Sequence, residues 1–402
     1  MRKLSTFVLL LAILAGASTA SFAQDEAVTV IPAGETVKIG SATDLSNVLG
    51  PAGLGILNGA QLAVDQFNAE GGLLGFEVEL VSEDDRCDGA EATSVANRFV
   101  ADPSLVAVVG HACSGATIPA SEIYEDARIV SVSPSSTAAA VTGRGLSTVN
   151  RVAFSDSVQG IVAARYMQME LGAETIAILH DNSSYGLGLA EVVQAAAEEL
   201  GLEVVAFDAI DPEEQDYRPQ LTVIAGSEPD VLYFGGYAPQ GALIISQMSE
   251  VGLEDSDFFS ADGVYGENFL ELAGENAEGA YASHGRPIAD NEDFIAAYTE
   301  AFDATPGEQG PFAEEAYDSA LVILTALTAV AEVDADGNLV IDREALIAAV
   351  REVSELEGIS GLISCTASGE CATPLIDISL VEDGEWGDLE IDDALQVDFG
   401  AE

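Results

Sequence analysis

The chain has 402 residues, and its 69 acidic against 13 basic side chains give a formal charge of −56. A surface of that sign repels nucleic acid and anionic lipid and removes both from the expected partners. Hydrophobic residues make up 48% of the sequence, enough for substantial cores, and the length suits two domains better than one.

In chain order, the first element is a secretory leader over residues 1–23. Arg2 and Lys3 precede the apolar run Phe7–Ala15, and Ser21-Phe22-Ala23 supplies small residues for cleavage. The leader has no Cys to carry a lipid anchor, and no later run is long enough for a transmembrane helix, so the expectation is an exported protein without direct membrane insertion. Short apolar runs then alternate with helical patterns. Strands are expected at Val37–Ala42, Glu77–Val81, Val106–Gly110 and Ile129–Val132, then at Thr175–His180, Glu203–Phe207, Val231–Gly235 and Asp257–Ser260. Helical periods lie between them at Ile56–Asn68, Ala90–Val100, Leu187–Leu200 and Gly241–Val251. Strands separated by single helices imply right-handed crossovers and parallel sheets. The alternation breaks at Arg151–Ser155, again at Gly279–Ile288, and a last crossing is expected at Gly358–Ser364 before an antiparallel hairpin over Ser364–Leu380. The expected fold class is therefore α/β, with two Rossmann-like lobes joined by a three-segment hinge. Lobe one takes residues 35–153 and 287–358, and lobe two residues 154–286 and 359–398.

Four cysteines in an exported chain favour disulfides over metal ligation. Three connectivities are possible; Cys87–Cys113, at adjacent strand ends, and Cys365–Cys371, around a turn, are the expected pairs. Signatures of catalysis are scarce. The chain lacks a P-loop, a GxSxG elbow and HExxH, and His111, His180 and His284 lie on different segments. Asp334, Asp336 and Asn338 resemble part of a calcium loop, but the spacing to a closing Glu fails, so a turn is expected there. The reading is a binding protein, not an enzyme, without cofactor or metal.

Ligands of open α/β sheets sit beyond the carboxyl ends of the strands. Ser114, Ser135 and Thr137 end strands of lobe one; Tyr185, Tyr237 and Asp262 end strands of lobe two. Hydroxyls and helix N–H groups on one side suit a carboxylate, and an acid with aromatic faces on the other suits an ammonium and an apolar tail. Together they complement a zwitterion.

Several ordered stretches make the chain resemble the periplasmic branched-chain (leucine/isoleucine/valine) amino acid-binding proteins, of the type I periplasmic binding fold. They are Asn58–Asp65 (NGAQLAVD), Asn68–Gly72 (NAEGG), Cys87-Asp88, Gly110–Ser114 (GHACS), Ile118–Asp126 (IPASEIYED), Ser133-Pro134, His180-Asp181, Tyr185-Gly186 and Gly235–Pro239 (GGYAP). The resemblance spans nearly the whole chain beyond the leader. It implies a Venus-flytrap closing on an amino acid, with Ser114, Ser135 and Thr137 at the carboxylate, Tyr185, Tyr237 and Asp262 at the ammonium and cleft wall, and Phe312 against the ligand side chain. It also implies a periplasmic monomer that delivers its ligand to a membrane ABC permease complex. Two departures stand out. Asp262 replaces a glutamate of the leucine-binding members, and Ala52, within Leu49–Gly55, stands where an aromatic is often found. Relatives on this fold bind amides, urea and aromatic acids, so the alternatives are a binding protein for short amides, urea or another small carboxylate, or a sensory ligand-binding domain.

Overall fold

The computed structural model describes residues 28–286, 291–372 and 375–397. The expected leader lies outside them. Among the described residues, two large sheets organise the chain. The first runs Val78–Asp84, Val37–Thr43, Leu105–Gly110, Val130–Ser133, Val149–Arg151, all parallel. The second runs Glu385–Asp388, Ile376–Glu382, Tyr281–Gly285, Asp257–Ser260, Val231–Gly235, Thr175–His180, Glu203–Ala209; its last five strands are parallel and its first two are antiparallel additions. All eight expected strands are present, seven within two residues of their expected ends; the one expected at Glu77–Val81 is Val78–Asp84 and runs three residues further.

Both sheets are covered on both faces, which is why their central strands read as unbroken apolar runs. Every residue of Leu105–Gly110 and of Val231–Gly235 is buried. Alternate residues feed opposite cores. Ile176 and Ile178 pack with the helices Asp156–Met169 and Ser184–Leu200, while Ala177 and Leu179 pack with Arg218–Ala225 and Ala238–Met248. In the first sheet, Pro51–Ala69 and Ala313–Val330 cover one face, and Gly89–Ala101 and Ser114–Ala127 the other. Capping side chains set several helix starts: Asp88 accepts from two N–H groups of the first turn, and Ser155 and Ser183 from one each. No helix among the described residues is long and apolar enough to cross a membrane.

The strand order carries the functional consequence. In each sheet the chain winds first to one side and then to the other, opening a crevice at the carboxyl ends where the direction reverses. The reversals fall between Val37–Thr43 and Leu105–Gly110, and between Thr175–His180 and Val231–Gly235. The turns that follow these strands carry Ser114, Tyr185 and Tyr237.

The last third differs from expectation. Leu356–Glu357 pairs antiparallel with Leu362–Ile363, and Ile363 and Cys371 are buried with Leu346, Ile347 and Val350 in the first sheet's core. Residues 359–372 therefore pack with the first sheet, although residues 359–398 were expected in the second lobe. Ile363 and the Cys365–Cys371 disulfide supply apolar bulk beneath the helix Arg343–Glu352. The antiparallel hairpin is Ile376–Glu382 with Glu385–Asp388, not Ser364–Leu380, and it turns at Asp383-Gly384, both with positive φ (56° and 80°). An edge sheet of Val28–Ile31, Leu339–Asp342 and Glu332–Val333 was not anticipated. The Asp334–Asn338 segment is the expected turn, its Asp334 carboxylate accepting from the Asp336 and Asn338 N–H groups.

Asp318 anchors the Leu356–Ile363 hairpin. Its fully buried carboxylate accepts from the N–H groups of Ile359 (2.8 Å) and Ser360 (2.7 Å) and from the Ser360 hydroxyl (2.6 Å). Asp318→Ala leaves those donors unpaired and is expected to cost about 3 kcal/mol of stability. Chemical unfolding of the ligand-free protein checks this, and a loss below about 1 kcal/mol contradicts the anchoring role.

Candidate functional site

One cleft between the two sheets gathers Ser114, Ser135, Tyr185, Tyr237, Asp262 and Phe312. On the first-sheet side, the helix Ser114–Ala127 starts at the cleft; its Ala116 and Thr117 N–H groups donate to the Cys113 carbonyl at 3.0 and 2.9 Å, which leaves the N–H groups of Ser114 and Gly115 without backbone partners among the described residues. The Ser114 Oγ accepts from the Ala138 N–H at 3.1 Å, which leaves its own proton free to donate. The Ser135 hydroxyl donates to the Ala112 carbonyl at 2.9 Å. Behind these, the hydroxyls of Thr117, Ser133 and Ser136 donate to the His111 carbonyl at 3.0, 2.6 and 3.0 Å. The His111 ring is fully buried between Asp85 (2.6 Å) and Tyr124 (2.8 Å), so it braces the turn and faces no ligand. The Cys87–Cys113 disulfide ties the same turn to the loop after Val78–Asp84. Both expected disulfide pairings are present.

Thr137 departs from expectation. It is fully buried and does not line the cleft; its hydroxyl lies beside the Asp156 carboxylate without reaching hydrogen-bonding geometry. Its backbone carbonyl accepts from Arg151 at 2.7 Å.

On the second-sheet side, Asp262 is 6% exposed, and its Oδ1 accepts from Gln159 Nε2 at 2.7 Å and from the Tyr185 hydroxyl at 2.9 Å. Among the described residues Oδ2 has no donor. Burial raises the Asp262 pKa to about 6, against the pull of those two hydrogen bonds and of His284. The turn is tight: a Cβ on Gly263 would lie 2.5 Å from the Gly236 carbonyl and 2.8 Å from the Tyr185 ring, so only glycine lets that ring reach Asp262. The Tyr185 and Tyr237 rings meet with centroids 5.3 Å apart and planes tilted by 42°.

A second carboxyl lies behind Asp262. Asp156 is fully buried and neither of its oxygens has a hydrogen-bond partner among the described residues; the same holds for Gln159 Oε1 and the Tyr233 hydroxyl. Burial, followed by the charge of Asp262, pushes the Asp156 pKa up to about 8. Burial and mutual repulsion thus push both carboxyls of the pair toward the protonated form, Asp156 the further of the two.

The far end of the cleft is apolar, lined by Leu49, Ala52, Ile56, Val264, Pro311 and Phe312. The space beside Ala52 is filled from the opposite wall: a Cβ on Gly310 would lie 3.0 Å from the Ala52 Cβ. Phe312 packs against cores of both sheets, with its ring 6.1 Å from Phe154, and Tyr237 likewise touches both sides. Sequence reading missed Gln159, Asp156 and Tyr233. The signal was present, because Asp156 and Gln159 stand three apart at the start of a helix whose inner face is otherwise apolar.

The geometry has clear counterparts among known proteins. The chain is 41% identical over 216 residues to an amino acid binding protein of Pseudomonas aeruginosa, a match covering 54% of this chain and 58% of that protein. It therefore spans less than two thirds of that relative's length. A leucine-, isoleucine-, valine-, threonine-, and alanine-binding protein of the same organism is 33% identical over 303 residues, or 75% of this chain and 80% of the relative. The substrate-binding protein LivJ of the branched-chain amino acid transporter of Streptococcus pneumoniae, solved in complex with isoleucine, superposes with a TM-score of 0.77 at 28% identity over 88% of this chain and 98% of that one. The family model described as periplasmic binding protein matches residues 36–374, and the chain belongs to that family.

Proposed function

We propose that this chain is the extracytoplasmic solute-binding component of an ABC importer and that it binds a hydrophobic or branched-chain amino acid by closure of the cleft. One observation carries the reading. Donors at Ser114 and its helix N-terminus share one partly apolar cleft with Asp262, a 6% exposed carboxylate whose Oδ1 takes both side-chain donors and whose Oδ2 takes none among the described residues. A zwitterion with an apolar side chain is the small molecule that satisfies both ends. The S. pneumoniae relative bound to isoleucine supports the branched-chain class. The ligand carboxylate is assigned to Ser114 and the helix N–H groups, the ammonium to Asp262 Oδ2, and the side chain to the wall of Leu49, Val264 and Phe312. Tyr185 orients Asp262, Tyr237 closes the cleft, Ser135 rigidifies the turn, and Thr137 supports the site from behind. The moving bodies are assigned as residues 35–153 with 291–372, and 154–286 with 375–397. The leader over residues 1–23 would export the chain, and the working form is assigned as a monomer that meets its permease when closed.

Calorimetry on refolded, ligand-stripped protein tests this directly. Leucine, isoleucine and valine are expected to bind; binding of an organic acid but of no amino acid overturns the assignment. Asp262→Asn keeps the shape but loses a charge-assisted contact, so affinity should fall roughly 100-fold with the fold retained. Unchanged affinity removes Asp262 from the ammonium site.

Affinity should also follow pH with a defined sign. The ammonium favours ionised Asp262, whose pKa is about 6 without ligand. Leucine affinity should therefore be flat above about pH 6 and fall below it, by up to about tenfold per unit. An ammonium-free analogue such as 4-methylpentanoate should show the opposite trend, since protonating Asp262 removes a repulsion. Titrations between pH 4.5 and 7.5 separate the amino-acid reading from a small-carboxylate carrier.

A further inference from the structure

We propose that the Cys365–Cys371 loop is a positioning strut for the carboxylate wall of the cleft, acting through Glu370 and Arg151. This rests on the amino-acid reading of the cleft. The loop is docked on the strand that ends at the first crossing between the sheets. Arg151 N–H donates to the Gly369 carbonyl at 2.9 Å, and Cys371 N–H donates to the Arg151 carbonyl at 2.9 Å. The approach is close enough to demand glycine: Gly369 has φ +92°, and a Cβ there would lie 2.4 Å from the Val149 carbonyl.

That docking delivers Glu370 to a buried cation. The Arg151 side chain is 1% exposed, and it donates to both carboxylate oxygens of Glu370 at 2.8 and 2.7 Å. Thr142 also donates to Glu370. The bidentate pairing fixes the plane of the guanidinium, and its remaining Nη1 reaches the carbonyls of Ser136 (3.2 Å), Thr137 (2.7 Å) and Ala138 (3.0 Å). Ala138 in turn donates its N–H to Ser114 Oγ. A continuous chain of contacts thus runs from the disulfide loop through Glu370, Arg151 and Ala138 to the hydroxyl that faces the ligand.

A second acid lies within electrostatic range of Arg151. The unpaired Asp156 carboxyl is near enough for the guanidinium to act on its charge. Glu370 keeps the guanidinium turned toward the 136–138 carbonyls. The disulfide matters because a loop free to lift would carry Glu370 away. Arg151 would then be a buried cation without its countercharge.

The test uses leucine calorimetry on the wild type, Glu370→Gln, the double variant Cys365→Ser/Cys371→Ser, Ser114→Ala, and Glu370→Gln and the double variant each combined with Ser114→Ala. Glu370→Gln and the double variant are each expected to weaken binding about tenfold, as for members of one hydrogen-bond network. In the Ser114→Ala background their effect should shrink below about twofold, because the strut acts through that hydroxyl. Unchanged affinity, or the same loss in both backgrounds, overturns the proposal. Amide exchange of the 134–142 segment in ligand-free protein gives a second readout. It should quicken in both strut variants while the Leu105–Gly110 strand keeps its protection, and unchanged exchange there also overturns the strut. That readout needs no ligand, so a wild type that binds no amino acid defeats the cleft assignment and leaves the strut decided. If the double serine variant does not fold, Glu370→Gln alone carries both readouts.

Discussion

The site depends on one carboxylate being buried with half of its hydrogen-bonding capacity unused. A buried charge is costly unless paired and fully hydrogen-bonded. Asp262 takes two donors on Oδ1 from Gln159 and Tyr185, so the cost is offset on one side only. Those donors have their own requirements. Tyr185 reaches Asp262 because Gly263 leaves room for its ring, and it accepts a hydrogen bond from the Gly263 N–H at 3.0 Å. Gln159 is held by a second bond to the Ser283 carbonyl at 3.0 Å, which couples the acid to the neighbouring strand. In the proposed reading, the unfilled oxygen is the demand that a cationic ligand group answers.

The charge balance of the chain makes the anionic end of the ligand the harder problem. With 13 basic residues in 402, a carboxylate has few cations to pair with, and Arg151 is spent on Glu370 and backbone carbonyls. The fold meets the need with dipoles: a helix N-terminus and a serine proton provide partial positive charge without an ion. Neutral donors also avoid drawing free anions as strongly as a guanidinium would.

The fold was legible because parallel strands covered on both faces leave unbroken apolar runs, and eight such runs were readable with their crossovers. The site was legible to the same extent, since six of the seven expected residues follow strand ends at or beside the two reversals in strand order. What failed had local causes. Thr137 shares the turn that presents Ser135, but which hydroxyl points to the cleft depends on Arg151 pulling three successive carbonyls behind the wall. The third crossing, expected at Gly358–Ser364, lies further on because Ile363 and Cys371 have places in the first core that only packing reveals. The hairpin at Asp383-Gly384 carried the usual turn signature and was overlooked beside the more conspicuous cysteine loop. Gln159 and Asp156 were readable in principle, but a polar pair on a buried helix does not name its partner across 103 residues.

Closure follows from placing the two charge-complementary groups on different bodies. Ser114 belongs to the first sheet and Asp262 to the second, so neither alone can satisfy a zwitterion. A ligand shifts a conformational equilibrium only by its differential affinity for the two states. Here that difference is nearly the whole of one polar end, because an open cleft leaves either the ammonium or the carboxylate in water. Tyr237 and Phe312 reduce what the ligand must supply. Each already packs against both sides, and aromatic contacts of this kind contribute about 0.5–1.5 kcal/mol beyond buried area. In the proposed reading, Tyr237 and Phe312 favour approach of the lobes without choosing a ligand, and Asp262 does the choosing. A ligand lacking the ammonium can fill the apolar end and still leave Oδ2 without a donor, so the closed state it forms retains the cost of that buried charge.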